Sequence, residues 1–184
     1  MLTDVQIRTK IKNLVSSGLS ELYTGEPVPI VPRLHSHWIL SLDIGNAASM
    51  LRATSGKYNG KVYCYMIGSD SIQRERRDLK DGFNTGSMQK LGPNQRTMTR
   101  HYKIWAVHQL DTGTESDNSE NRLIREVDFL GDYFDKKPTL DFTENEFRGH
   151  YGLQAELIDS FSFGDVEVHL AQMSLAVVLY RQLV

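Results

Sequence analysis

Apolar residues recur at helical spacing at the start of the chain. Ile7, Ile11, Leu14, Leu19 and Leu22, with Val15 beside Leu14, form one stripe over residues 3–23, and Thr3 or Asp4 can cap it. "GEPVPIVP" ends that helix, because Gly25 and the prolines at 27, 29 and 32 favour extended chain. The period then drops to two. Trp38, Leu40, Leu42 and Ile44 alternate in "HWILSLDI", a strand signal. "GNAASMLRATSGKYNG" is mixed and closes on Asn59-Gly60, a hairpin-type turn signal, after which "KVYCYMIG" reads as a second strand. Residues 69–100 sustain no period and are rich in Gly, Ser, Asn and Arg, which predicts an extended basic loop insertion.

Regularity returns at Tyr102–Leu110, where Ile104, Trp105, Ala106 and Val107 follow one another, as in a strand buried on both faces. "DTGTESDNSE" is a polar loop, and Asp117 or Ser119 can cap the helix after it. In that helix Leu123, Val127, Leu130 and Phe134 are spaced 4, 3, 4, with Ile124 beside them. Lys136 and Lys137 suit a helix C-terminus, and Pro138 stops the helix. The remainder is a hairpin pattern. Leu153, Ala155 and Leu157 alternate, and Gly164-Asp165 can turn. Val166, Val168 and Leu170 alternate again, then Met173, Leu175, Val177 and Leu179 continue out of phase, as if a bulge lay near Ala171-Gln172. The element order predicts a single α+β domain over residues 1–184: a mostly antiparallel β-sheet packed with an N-terminal helix and a second helix, carrying the 69–100 loop insertion.

Composition adds little to the fold but narrows the chemistry. With 40% hydrophobic and 24% charged residues, the chain can build a packed core. Cys64 is the single cysteine and sits in an apolar run, so no internal disulfide forms and a buried structural thiol is expected. The first residues lack the apolar core of a signal peptide, and no run approaches a membrane span, so a soluble protein made in a reducing cytoplasm is expected.

Motifs for catalysis are missing: there is no P-loop, no Gly-x-Gly-x-x-Gly and no Gly-x-Ser-x-Gly elbow. His35 and His37 could share one ion on a strand, but no third ligand is nominated, and surface histidines are the plainer reading. The acidic 111–120 loop fails the calcium-loop pattern, with Gly113 at position 3 and Ser116 at position 6. Glu75, Asp78 and Asp81 interrupt the basic run Arg74–Arg77, which weakens a nucleic-acid reading. No enzyme activity, cofactor or metal is therefore expected.

Charge is unevenly distributed. Met1–Lys103 holds 15 Lys+Arg against 8 Asp+Glu, whereas Ile104–Val184 holds 6 against 15. Such halves can be scattered over the surface or can form the two sides of a head-to-tail interface. Under the second reading the candidate subunit-interface residues are Arg74, Arg76 and Arg77 facing Asp111, Glu115 and Asp117.

The unit "HYKIWAVHQLDTGTESDNSENRLIREVDFLGDYF" (101–134), with the hairpin ending in "VEVHLAQMSLAVVLY", resembles the tail terminator proteins of long-tailed bacteriophages. The likeness is one of element order over roughly residues 100–184, supported by the first helix. Region 45–100 is longer than a minimal member has. The resemblance implies a structural virion protein that forms a hexameric ring at the head-proximal end of the tail, ends tube polymerisation and offers a surface to the neck. The implied partners are further copies of the chain, the tail tube protein, a head–tail connector or neck protein and a tail sheath. DNA would pass through the ring without sequence-specific binding. The implied location is the virion, after synthesis in the host bacterial cytoplasm. Two other readings stand beside it: another tail or head–tail connector component, and a small α+β enzyme or ligand-binding domain.

Overall fold

The computed structural model describes residues 2–24, 30–31, 51–74, 95–111, 118–142, 147–163 and 166–182. Helix α1 spans Asp4–Leu22. Its cap is Thr3, whose hydroxyl accepts from the Gln6 amide (3.2 Å), while the Gln6 side chain accepts from the Thr3 amide (2.8 Å). Strand β1 is the short Ile30–Val31, within the proline-bounded segment expected to be extended. The expected strand over "HWILSLDI" and the His35/His37 pair lie outside the described residues. Within 51–62, the Lys61 amide donates to the Tyr58 carbonyl across Asn59-Gly60, and Gly60 takes φ +79 as the turn requires.

Strands β2 (Tyr63–Arg74) and β3 (Gln95–Gln109) pair antiparallel from Tyr63↔His108 to Arg74↔Met98. This corrects the boundaries of the expected insertion, since 69–74 and 95–100 belong to the ladder. The intervening 75–94 lie outside the described residues. Ser71 and Ile72 gain cross-strand partners in His101 and Arg100, a pairing that a scan for one-strand periodicity does not see. Helix α2 follows at Ser119–Asp135. Its cap is Asn118, not Asp117 or Ser119. Asn118 has extended backbone and its side chain accepts from the Asn121 amide (2.8 Å), whereas Ser119 is already inside the helix. Strands β4 (Phe147–Phe163) and β5 (Val166–Gln182) form the hairpin, paired up to Phe163↔Val166. The turn at 164–165 lies outside the described residues.

The sheet order is β1-β2-β3-β5-β4, with β1 parallel to β2 and all other pairs antiparallel. The protein is thus an α+β fold with a mostly antiparallel sheet and two helices, as the patterns predict. β3 is apolar on both faces because Ile104 and Ala106 join the main core while Trp105 and Val107 join a second, smaller cluster.

The expected bulge in β5 is absent. β3 and β5 pair without a break from Gln109↔Val168 to Gln95↔Gln182. The change of phase has another cause: early in β5 the even positions Val166 and Val168 join a small cluster with Cys64, Met66, Trp105 and Val107. Later the odd positions Met173, Leu175, Val177 and Leu179 join the main core under the helices. The strand keeps its register with β3, and the face it fills with apolar side chains changes along its length. Register shifts fall instead on β2, between Ser69 and Ser71, and on β4, at Phe147/Gly149, His150/Leu153 and Ala155/Leu157. Ala155 is exposed, against its expected place in an alternating apolar set.

The helices share one face of the sheet. Ile7, Ile11, Leu14, Val15 and Leu19 of α1 and Leu123, Val127, Leu130 and Phe134 of α2 pack with Tyr65, Ile67, Ile104 and Met173. Ile124, expected beside the stripe, is 37% exposed. The helices cross closely at Gly18, where an added Cβ would sit 3.1 Å from both Leu130 Cδ2 and the Tyr133 ring. Gly18→Val is therefore expected to cost about 1–3 kcal/mol by overpacking, measured as a lower urea midpoint. A neutral result would show that the crossing can widen freely.

Candidate functional site

Charged groups lie at both ends of the helix–sheet interface. At the start of α1, Asp4 accepts from Ser69 Oγ (2.9 Å) and from the Tyr102 hydroxyl (3.1 Å), and its carboxylate meets Arg8 Nε at 2.8 Å. Arg100 lies 3.8 Å away. This ties α1 to β2 and β3 with partly exposed groups.

The other end holds a larger and drier cluster. Glu126 of α2 is fully buried, on the same inward side as Leu123, Val127 and Leu130. One oxygen, Oε1, accepts from the hydroxyls of Tyr63 (2.8 Å) and of Tyr23, the C-cap of α1. The other, Oε2, accepts from the Tyr65 hydroxyl and lies 3.0 Å from His108 Nε2. The rings pack around it: Tyr58 stacks on Tyr63 at 4.0 Å, Tyr63 lies 4.4 Å from the His108 ring, and Arg122 covers Tyr58 at 5.0 Å. Arg125 donates to the Tyr23 oxygen (3.3 Å).

Electrostatics follow from that geometry. Burial alone would raise the Glu126 pKa, but the nearby His108 and the phenol donors outweigh it, and the carboxyl is held below its ordinary value. Burial first, and then the Glu126 charge, pushes Tyr23, Tyr63 and Tyr65 well above the ordinary phenol value, so all three remain donors. The cluster joins α1, β2, β3 and α2 at one point. Its carboxylate is buried and both oxygens accept phenol hydroxyls, so it ties these elements together.

A third polar group closes the start of α2. Ser119 Oγ accepts from the Asp111 amide (3.0 Å) and contacts His169 Nδ1 of β5 at 3.0 Å. The Asp111 carboxylate receives Lys61 at 3.1 Å and lies 3.9 Å from Arg122. Asp111, a candidate interface acceptor, is thus an internal tie with a side chain 29% exposed.

Of the other candidates, Arg74 ends β2 opposite Met98, and only its backbone is described. Arg76, Arg77, Glu115 and Asp117 lie outside the described residues. Arg74 and Asp111 are at opposite ends of the β2–β3 pair, roughly 40 Å apart at about 3.3 Å per strand residue, so they cannot pair within one chain. Cys64 is fully buried, and burial pushes its thiol up to about 12.

Motif searching missed the Glu126 cluster, although a signal existed. Glu126 interrupts the apolar stripe of α2 at a position on its inward side, and Tyr63 and Tyr65 alternate onto one face of β2. Among the described residues, no three His, Cys, Asp or Glu side chains gather as metal ligands would. No protein-family model matches the chain, and no curated protein matches it.

Proposed function

We propose that the chain is a structural virion protein that caps the head-proximal end of a phage tail tube as a ring, ends tube polymerisation and joins the tail to the neck. The observation that carries this reading is the unit β3–α2–β4–β5, which has the strand, helix and closing hairpin order of the tail terminator proteins it resembles. The use of the buried ionisable groups supports it. Glu126 and His108 hold elements together, as a scaffold for subunit contacts requires and as a reaction centre open to substrate does not. The separation of Arg74 from Asp111 along the sheet suits contacts between copies at opposite ends. Asp111, occupied by Lys61, is the weakest member of that set.

The test is mass and activity in assembly. Purified chain is expected to form a ring of six copies by light scattering and electron microscopy, and to stop elongation when added to polymerising tail tube protein. Replacing Arg74, Arg76 and Arg77 together by Glu is expected to slow ring formation, most strongly at low salt, with the circular dichroism spectrum unchanged. A chain that stays monomeric at every concentration and leaves tube elongation untouched overturns the reading. A triple variant that assembles at the wild-type rate across a salt series removes those arginines from the interface.

A further inference from the structure

β4 is the sheet's edge strand, and it leaves regular pairing between His150 and Leu153, with Gly152 at φ +85. The His150 imidazole spans this kink. Its Nδ1 lies 3.0 Å from the Gly152 amide nitrogen, and its Nε2 lies 3.0 Å from the Lys137 carbonyl oxygen, just beyond α2. An amide nitrogen here can only donate and a carbonyl can only accept. The ring must therefore carry its hydrogen on Nε2 and a free lone pair on Nδ1. Only the neutral imidazole can make both bonds.

We propose that His150 is a proton-operated pin. When neutral, it staples the kink of β4 to the end of α2; a proton on Nδ1 expels the Gly152 N–H and frees this stretch of the edge strand. The surroundings suit such a switch. From α2, Asp135 places Oδ1 where it would be 3.1 Å from a Cβ at Gly152, and the Phe134 ring meets His150 edge-on at 6.2 Å. From the turn after α2, the Lys137 amine points to Asp141 (3.4 Å). From β4 itself, Arg148 lies over the Tyr180 ring at 4.5 Å. From β5, the residue paired with His150 is the buried Val177. Asp135 is thus the carboxylate placed to receive the charged ring once Gly152 is released.

Burial lowers the His150 pKa, and this outweighs the opposing pull of the Lys137 carbonyl, of Asp135 and of the Phe134 backbone. The sign follows from linkage. The folded value lies below the ordinary 6.5, so the staple is fully present above about 6.5, weakens as pH falls below it, and is lost once pH passes the folded value.

The experiment is nuclear magnetic resonance on the full chain, titrated downward from neutral pH. The His150 ring nitrogens are expected to report the Nε2–H tautomer at neutral pH. Hydrogen-exchange protection at the Gly152 amide is expected to fall about tenfold or more at the same midpoint as the ring. Amides of the β3–β5 ladder should keep their protection through that midpoint. His150→Asn, which offers an oxygen near the Nδ1 position and does not titrate, should make Gly152 protection independent of pH. Asp135→Asn should move the His150 midpoint still lower. Unchanged Gly152 protection through the His150 midpoint overturns the proposal, as does an equal loss in His150→Asn. Should His150→Asn fail to fold, agreement of the two wild-type midpoints and the Asp135→Asn shift decide the question.

Discussion

Glu126→Ala is expected to cost about 3–5 kcal/mol of folding stability, because each buried donor left without its acceptor costs about 1–3 kcal/mol. The size comes from what is left behind. Three hydroxyls, on Tyr23, Tyr63 and Tyr65, and His108 all face the Glu126 carboxylate. Removing it strands these polar groups in a region with almost no water, with a cavity in place of the carboxylate. Domains of this kind are stable by only about 5–15 kcal/mol, so the variant is expected to be close to its limit. Glu126→Gln keeps the shape and should cost less. It should also change the pH response. The Glu126 pKa is held below 4.5 in the fold, so its stabilisation is complete above the unfolded value and lost as pH falls through the folded one. Urea denaturation followed by circular dichroism, repeated from neutral to acid pH, measures both effects. A loss under about 1 kcal/mol, with acid sensitivity equal to wild type, would mean that the cluster relaxes or fills with water and clamps nothing.

That cluster marks where reading the chain by period stops working. Spacing along one element finds the inward face of α1 and α2 and the alternation in β2, because burial imposes the same repeat on neighbouring positions. It therefore placed both helices, the central strands and the closing hairpin. Glu126 is different. Its environment comes from Tyr23, Tyr63, Tyr65 and His108, which lie on three other elements, so no local pattern can report the partners. The ends of β2 and β3 were hidden for a related reason. Ser71–Arg74 have little intrinsic strand character and are held by pairing to Met98–His101. The phase change in β5 was legible, but its cause was not. A bulge and a change of covered face write the same letters, and only the unbroken register with β3 separates them. The His150 pin combines both difficulties, since its partners are backbone groups at Lys137 and Gly152, which carry no side-chain signature.

Phe134→Ala is expected to lose about 3–5 kcal/mol, as for other large aromatic truncations in a packed core. Phe134 is the last member of the 4-3-4 stripe, fully buried in the main core, and its ring lies nearly perpendicular to the His150 ring at 6.2 Å. It sits in the final turn of α2, just before the Lys137 carbonyl that anchors His150. The cavity would thus open between α2 and the irregular half of β4, where the ladder is already interrupted at Phe147/Gly149 and His150/Leu153. Ile124→Ala is the control on the same helix. Ile124 is 37% exposed despite its apolar character, and its truncation should stay within about 0.5 kcal/mol. Paired denaturation curves measure the difference. Equal losses at the two positions would show that α2 does not present the face assigned to it. A loss at Phe134 with unchanged Gly152 exchange would separate core packing from the His150 staple.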